Sequence, residues 1–254
     1  MEQKFNNEVI GISAEVAIAD IFNVTIDNNY RMRGNEEIIN LLKKDIAKIF
    51  SVENIPLPFK HVAEGQNPVD FILNNNETLS VKTNKRQLGK VAPQIIGQPT
   101  NETYFFNMKN KFPNITEFDI INELKKRKVE DNYENRSKIF KEISIKYIDI
   151  IINEYWKNLV ECDYLLFFYD IVDKNENISK NPQYIVLRKE SELPNWSKKN
   201  FLFTKSLENW NESNTVKYIN NGKSISIGEF QVHKNRNCFK FRFNIKNILK
   251  IMNS

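Results

Sequence analysis

The chain has 254 residues, 41% of them hydrophobic, enough for one large domain or one domain with a small appendage. No apolar run approaches the ~18 residues that a membrane span needs, and the opening MEQKFNNEVIG lacks the basic-then-apolar order of a secretion signal, so a cytoplasmic protein without membrane contact is expected. The net charge of +5 suits a polyanionic partner without demanding one, and Cys162 and Cys238, far apart and beside apolar residues, read as reduced thiols and exclude a zinc cluster.

Residues 11–22, GISAEVAIADIF, combine small and apolar side chains and predict a helix with Ser13 as its N-cap. Residues 36–50 predict a second helix, capped by Asn35, with Ile38, Leu41, Leu42, Ile46, Ile49 and Phe50 on one stripe. Pro56 and Pro58 then break the helical pattern. From Lys60 onward, KHVAEG, VDFIL and TLSVKTN are short apolar or alternating runs, and NNNE at 74–77 marks a turn between the last two. A mainly helical block follows at 116–162, broken near 129–135. DYLLFFYDI and PQYIVLRK predict two core strands. SISIGEFQVH and CFKFRFNI predict two more, joined by the turn KNRN, and KNILKIM closes as a short helix. This mixed order predicts an α/β or α+β fold with a central mixed sheet flanked by helices. No repeat or long linker divides the chain, so a single domain over 1–254 is expected. Its core is placed at about 8–110, and a helical plus C-terminal β-hairpin part at about 111–254.

The informative segment is PVDFILNNNETLSVKTNK, residues 68–85. Side chains alternate between the two faces of a strand, so Asp70 shares a face with Ile72, and Ser80 with Lys82. If the strands pair across NNNE, Asp70 and the Ser80–Lys82 face converge at one sheet edge. A carboxylate beside an ammonium suits phosphodiester cleavage. A hard cation bridges carboxylate and phosphate oxygens and activates a water, and a fixed lysine adds positive charge where the transition state is most negative.

Pro68-Val69-Asp70 followed by Ser80-Val81-Lys82 resembles the motif of the PD-(D/E)xK nuclease superfamily and, within it, of the type II restriction endonucleases. The resemblance implies a restriction-endonuclease-like core, a Mg2+ cofactor, Asp70 as the metal carboxylate and Lys82 as the catalytic lysine. One departure stands out: the family places an acidic residue two before the lysine, where this chain has Ser80. The family also often carries a glutamate on a helix before the core sheet. Glu15 fits that place and ranks first as the second metal carboxylate, with Glu64 next and Glu77, in the turn, last. Lys85, Arg86 and Gln94 follow the hairpin in a region that leads, in the family, toward the DNA backbone; Gln94 reads equally well as a surface residue. His61 is assigned a structural or supporting role.

A second polar stretch lies at 228–243, GEFQVHKNRNCFKFRF. Gln231, His233, Lys234, Arg236 and Asn237 crowd one strand end and its turn, and Lys240 and Arg242 alternate on the return strand. Such side chains pair with purine edges in the major groove and with phosphates; His233 has a second reading as a general base. Trp156, Trp196 and Trp210 are expected in the core or in a dimer contact, and the basic run at 125–128 on a solvated helix face. The function expected is Mg2+-dependent, sequence-specific hydrolysis of double-stranded DNA by a homodimer. A companion DNA methyltransferase follows from the resemblance alone. Two alternatives stay open: a repair or junction nuclease, and a non-catalytic DNA-binding protein with a degenerate nuclease core, which Ser80 favours.

Overall fold

A computed structural model describes residues 5–63, 67–86, 89–91, 104–189, 196–233 and 238–253, with backbone alone for 104–107, 232, 233, 238 and 239. The chain begins with helices α1 (Asn7–Phe22), α2 (Asn28–Arg31) and α3 (Glu36–Val52), followed by strands β1 (Pro58–His61), β2 (Phe71–Leu73), β3 (Thr78–Thr83) and β4 (Lys90–Val91). Four helices come next: α4 (Tyr104–Lys111), α5 (Ile120–Arg127), α6 (Tyr133–Lys146) and α7 (Ile148–Leu159). Six strands and a helix complete the order: β5 (Tyr164–Tyr169), β6 (Gln183–Arg188), β7 (Phe201–Phe203), β8 (Ser213–Asn220), β9 (Lys223–His233), β10 (Cys238–Asn244) and α8 (Ile245–Met252). Among the described residues no helix is long and apolar enough to cross a membrane.

Two compact units emerge, residues 1–89 with 160–192 and residues 90–159 with 193–254. Each has its own five-stranded sheet. The mixed α/β class agrees with the sequence reading, but the single central sheet becomes two. Residues 160–192, grouped by sequence with the C-terminal part, pack with residues 1–89. The reason is pairing: β5 lies parallel to β3, Leu79 opposite Tyr164 through Thr83 opposite Phe168, and a parallel partner must return from a distant crossover. Asp163 fixes that register, its Oδ2 accepting from Thr78 N at 2.8 Å and Thr78 Oγ1 at 2.7 Å.

In the first unit the strand order is β1-β2-β3-β5-β6, antiparallel except for β3 and β5. α1 is buried on most sides, from Ile10 to Ala19, because it packs against both α3 and the sheet. α3 buries the stripe read from sequence, and Asn35 caps it, accepting from Glu37 N and Ile38 N. The start of α1 differs from expectation. It begins at Asn7 with Asn6 as N-cap, and Ser13 lies fully buried inside the helix. The Ser13 hydroxyl donates to the Val9 carbonyl at 2.6 Å and accepts the Asn35 N–H at 2.8 Å. A cap-type residue therefore ties two helices together instead of opening one.

In the second unit the order is β4-β10-β9-β8-β7, antiparallel throughout. One face is aromatic: Phe230, Phe241 and Phe243 pack against Tyr155 and Trp156 of α7 and against Trp210. Trp156, Trp196 and Trp210 are all buried. Gly228 is required here, since a Cβ would lie 2.4 Å from the Phe241 ring. The β8–β9 hairpin closes through Asn221 and Gly222, both at positive φ, which suits the tight two-residue turn. β8 was not anticipated from the sequence.

Candidate active site

Rungs of an antiparallel ladder recur at every second residue. In the β2–β3 hairpin, Leu73 N bonds the Glu77 carbonyl and Phe71 pairs with Leu79, yet the Leu79 carbonyl accepts Asp70 N–H at 3.0 Å, so the register slips by one residue at Asp70. Asp70 stays tied to both neighbours, its own carbonyl accepting Val62 N–H at 2.9 Å. Just before it, the Asn67 side chain accepts from Val69 N at 3.0 Å and donates to the Val62 carbonyl at 3.2 Å. The Val81 N–H goes to the Asp70 side chain: Oδ2 accepts it at 2.5 Å and the Ser80 hydroxyl at 3.2 Å, and Lys82 Nζ stands 3.9 Å away. Asp70 and Lys82 are thus brought together at the end of a short strand, with Ser80 as a hydrogen-bond donor to the acid.

Asp70 is 6% exposed. Burial pushes its carboxyl up to about 6; the charge of Glu15 adds to the rise, while the Lys82 ammonium, Val81 N–H and Ser80 hydroxyl oppose it. Burial also raises the Cys162 thiol to about 11, with the Asp70 charge adding to it. That thiol lies 3.5 Å from the Pro68 carbonyl and stays protonated at neutral pH.

Glu15, on α1, is itself buried. Its Oε2 accepts the Tyr30 hydroxyl at 2.7 Å and lies 2.9 Å from His61 Nε2. A ring nitrogen this close to a carboxylate oxygen carries the proton. Burial, then the Glu15 charge, raises the Tyr30 pKa well above the ordinary phenol value, so its hydroxyl remains a donor. Tyr30 escaped the sequence reading altogether. The signal was slight, one aromatic residue in the polar stretch DNNYRMRGN. Glu77 lies in the hairpin turn, bonded to Asn75, and Glu64 is outside the described residues.

The donor set fits a hard divalent cation. Both acids spend one oxygen on protein hydrogen bonds, and among the described residues Asp70 Oδ1 and Glu15 Oε1 accept none. Mg2+ typically takes one or two carboxylates and fills its other positions with water and phosphate oxygens. No cluster of three or more His, Cys, Asp or Glu able to cage a metal occurs among the described residues.

The expected DNA contacts fare unevenly. Lys85 and Arg86 both pair with Glu176, Arg86 Nη2 at 2.8 Å from its Oε1. Gln231 donates to Glu229 Oε1 at 2.9 Å and stands opposite Lys240 in the β9–β10 register. Glu229 also pairs with Lys90, and with Arg242 at 3.7 Å. His233 ends β9, but its side chain is outside the described residues, as are Gln94, Lys234, Arg236 and Asn237 entirely.

No family model matches the chain, and no solved structure does. Among curated proteins, the chain is 32% identical over 244 residues, 95% of its length, to the type II restriction enzyme CviAII of Paramecium bursaria Chlorella virus 1. The chain spans 59% of that relative's length.

Proposed function

We propose that the chain is a type II restriction endonuclease that hydrolyses phosphodiester bonds of double-stranded DNA at a specific sequence, with Mg2+ as cofactor. The observation that carries this reading is the juxtaposition of Asp70 and Lys82, whose charged atoms stand 3.9 Å apart where the β2–β3 register slips. The similarity to a viral type II restriction enzyme supports it.

Each residue has a role in this reading. Asp70 and Glu15 hold the divalent cation, which when bound offsets phosphate charge and lowers the pKa of a coordinated water. Val81 N–H and the Ser80 hydroxyl fix Asp70 Oδ2, so the carboxylate does not rotate away. Lys82 presents its ammonium to the phosphate oxygens, where charge builds during cleavage. Gln231 and Lys240 of the second unit, with Lys234, Arg236 and Asn237 from the sequence between β9 and β10, are assigned to reading the DNA, Lys85 and Arg86 to its phosphates. A homodimer reading a short symmetric target, and a methyltransferase protecting host DNA, belong to the same proposal.

The test is digestion of a long DNA of known sequence. Discrete fragments in Mg2+, and none in EDTA, are expected. A continuous smear points to a nuclease without sequence preference. Ser80, which offers a hydroxyl where the family has an acid, favours a second reading, a DNA-binding protein that no longer cuts. Retarded DNA that stays intact in Mg2+ supports that second reading.

A further inference from the structure

A carboxylate taken out of water needs donors or a counter-charge. Glu15 sits on α1 between fully buried Ala14 and Val16, and among the described residues no Lys or Arg pairs with it. Its partners are Tyr30, from α2, and His61, from β1, and both aim at the same oxygen, Oε2. Neither donor is free to swing. The Tyr30 and His61 rings lie 5.0 Å apart, and His61 meets the Phe71 ring edge-on at 5.1 Å. Tyr30 is anchored through its backbone as well: its N–H donates to Asp27 Oδ1 at 3.1 Å, the cap of the single-turn helix α2. The next residue, Arg31, grips both oxygens of Asp20 on α1 at 2.5 and 3.0 Å. α2 is thereby locked to the helix that carries Glu15.

We infer that Tyr30 and His61 are positioning residues that orient Glu15 toward a divalent cation, an inference resting on the function proposed above. Two donors on one oxygen hold the carboxylate in a single rotamer and leave Oε1 for the cation. A lysine or arginine in their place would cancel the charge that attracts the metal; the tyrosine hydroxyl stabilises the carboxylate without doing so. Partners of metal ligands act in this way generally, and their loss typically costs 10–100-fold in metal affinity or activity.

The experiment measures Mn2+ binding to the whole chain by calorimetry without DNA, beside kcat and KM for cleavage and the melting temperature. Tyr30→Phe keeps the ring and removes the hydroxyl; roughly 10-fold weaker Mn2+ binding is expected, with kcat lowered and KM for DNA unchanged. His61→Ala should lose more, and His61→Gln, whose amide can reach the same oxygen, should recover part of the loss. Parental Mn2+ affinity and kcat in Tyr30→Phe and His61→Ala, with only the melting temperature reduced, would overturn the inference and leave a structural network. Asp70→Asn separates the two levels of the argument. If the parent binds Mn2+ and Asp70→Asn abolishes it, while the Tyr30 and His61 variants match the parent, the positioning role alone falls. If the parent binds no Mn2+, the metal site of the proposed function falls, and this inference with it.

Discussion

Each unit hides a glutamate, and the two are equally buried: Glu15 on α1 and Glu123 on α5 are each 8% exposed. Their surroundings differ. α5 supplies counter-charges to Glu123 from its own next turn, Lys126 at 3.4 Å and Arg127 at 3.2 Å. Arg127 reaches Glu142 of α6 as well, at 2.6 Å. The charge of Glu123 is consumed in joining α5 to α6. Glu15 has a tyrosine hydroxyl and a histidine on one oxygen and, among the described residues, nothing on the other. Asp70, close enough to feel the Glu15 charge, has Lys82 nearby, yet burial still prevails in raising its pKa. A buried carboxylate matched by adjacent cations contributes to packing. Two buried carboxylates with one lysine beside Asp70 and, among the described residues, none paired with Glu15 keep charge available for a ligand, and a buried acid perturbed as Asp70 is belongs to the kind of group that concentrates at functional sites.

Exchanging the two glutamates for glutamine breaks the comparison most severely. Glu15→Gln should lower cleavage at least about 100-fold with little change in melting temperature, since Tyr30 and His61 retain an amide oxygen to bond. Glu123→Gln should do the reverse, leaving cleavage near the parental rate and reducing stability by up to about 1 kcal/mol, because its cation partners are partly solvated. Lys82→Ala belongs with Glu15→Gln: cleavage falls at least about 100-fold while DNA binding persists. Cleavage rates and melting curves on the same preparations decide the matter. Cutting retained by Lys82→Ala or Glu15→Gln would remove these residues from the site.

Asp70→Asn tests the energetic side. Its carboxyl titrates near 3.8 in ordinary surroundings and about 6 in the folded chain. Between those values the folded state binds more protons than the unfolded one, so the parent loses stability as pH rises through the window and no further above it. The full penalty of ionising the buried acid amounts to roughly 3 kcal/mol. Asn carries none of it. Without divalent cation, Asp70→Asn should therefore match the parent near pH 4, gain on it up to pH 6, and hold a constant advantage above. Added Mg2+ should narrow that gap by stabilising only the parent. Melting temperatures across pH check both, and a gap that is independent of pH would mean that the buried charge is not what strains the site.

How much of this was legible in the sequence follows from the range of each interaction. The hairpin was legible because NNNE, the alternation of TLSVKT and the Asp70–Lys82 spacing lie within a few residues of one another. The stripe of α3 and its Asn35 cap were legible for the same reason. Ser13 misled, because a residue that caps a helix and one that bridges two helices look alike until Asn35 N is found 2.8 Å from its hydroxyl. The Glu15–His61 contact spans 46 positions and Tyr30 approaches from a third element; no periodicity records such a meeting. β8 was missed although Asn221-Gly222 is a strong hairpin signal, since SNTVKYIN alternates small and polar with apolar residues too weakly to stand out. The return of β5 and β6 to the first sheet depends on a parallel pairing between Leu79 and Tyr164, 85 positions apart, which local texture does not encode.

The smallest effect concerns a third glutamate, Glu176, which differs from the two buried glutamates by lying partly exposed between two cations. Its side chain is 38% exposed and pairs with Lys85 and with Arg86. The arrangement does not depend on those side chains. Asp170 N bonds the Arg86 carbonyl at 2.6 Å and Val172 N the Lys85 carbonyl at 2.8 Å, so two backbone segments run together regardless. The turn carrying Glu176 is closed by Asp173, whose Oδ1 accepts from Asn175 N and Asn177 N. Glu176→Gln should thus leave the fold intact while freeing Lys85 and Arg86 from a competing anion. If these two cations meet DNA phosphates, the variant should bind duplex a few-fold more tightly at low salt, and the slope of log affinity against log salt should steepen by about 1. The gain should vanish at high salt, where the exposed pairs are already screened. Identical slopes for parent and variant would mean that Lys85 and Arg86 stay with Glu176 or face solvent when DNA is bound, and would remove both from the phosphate contacts.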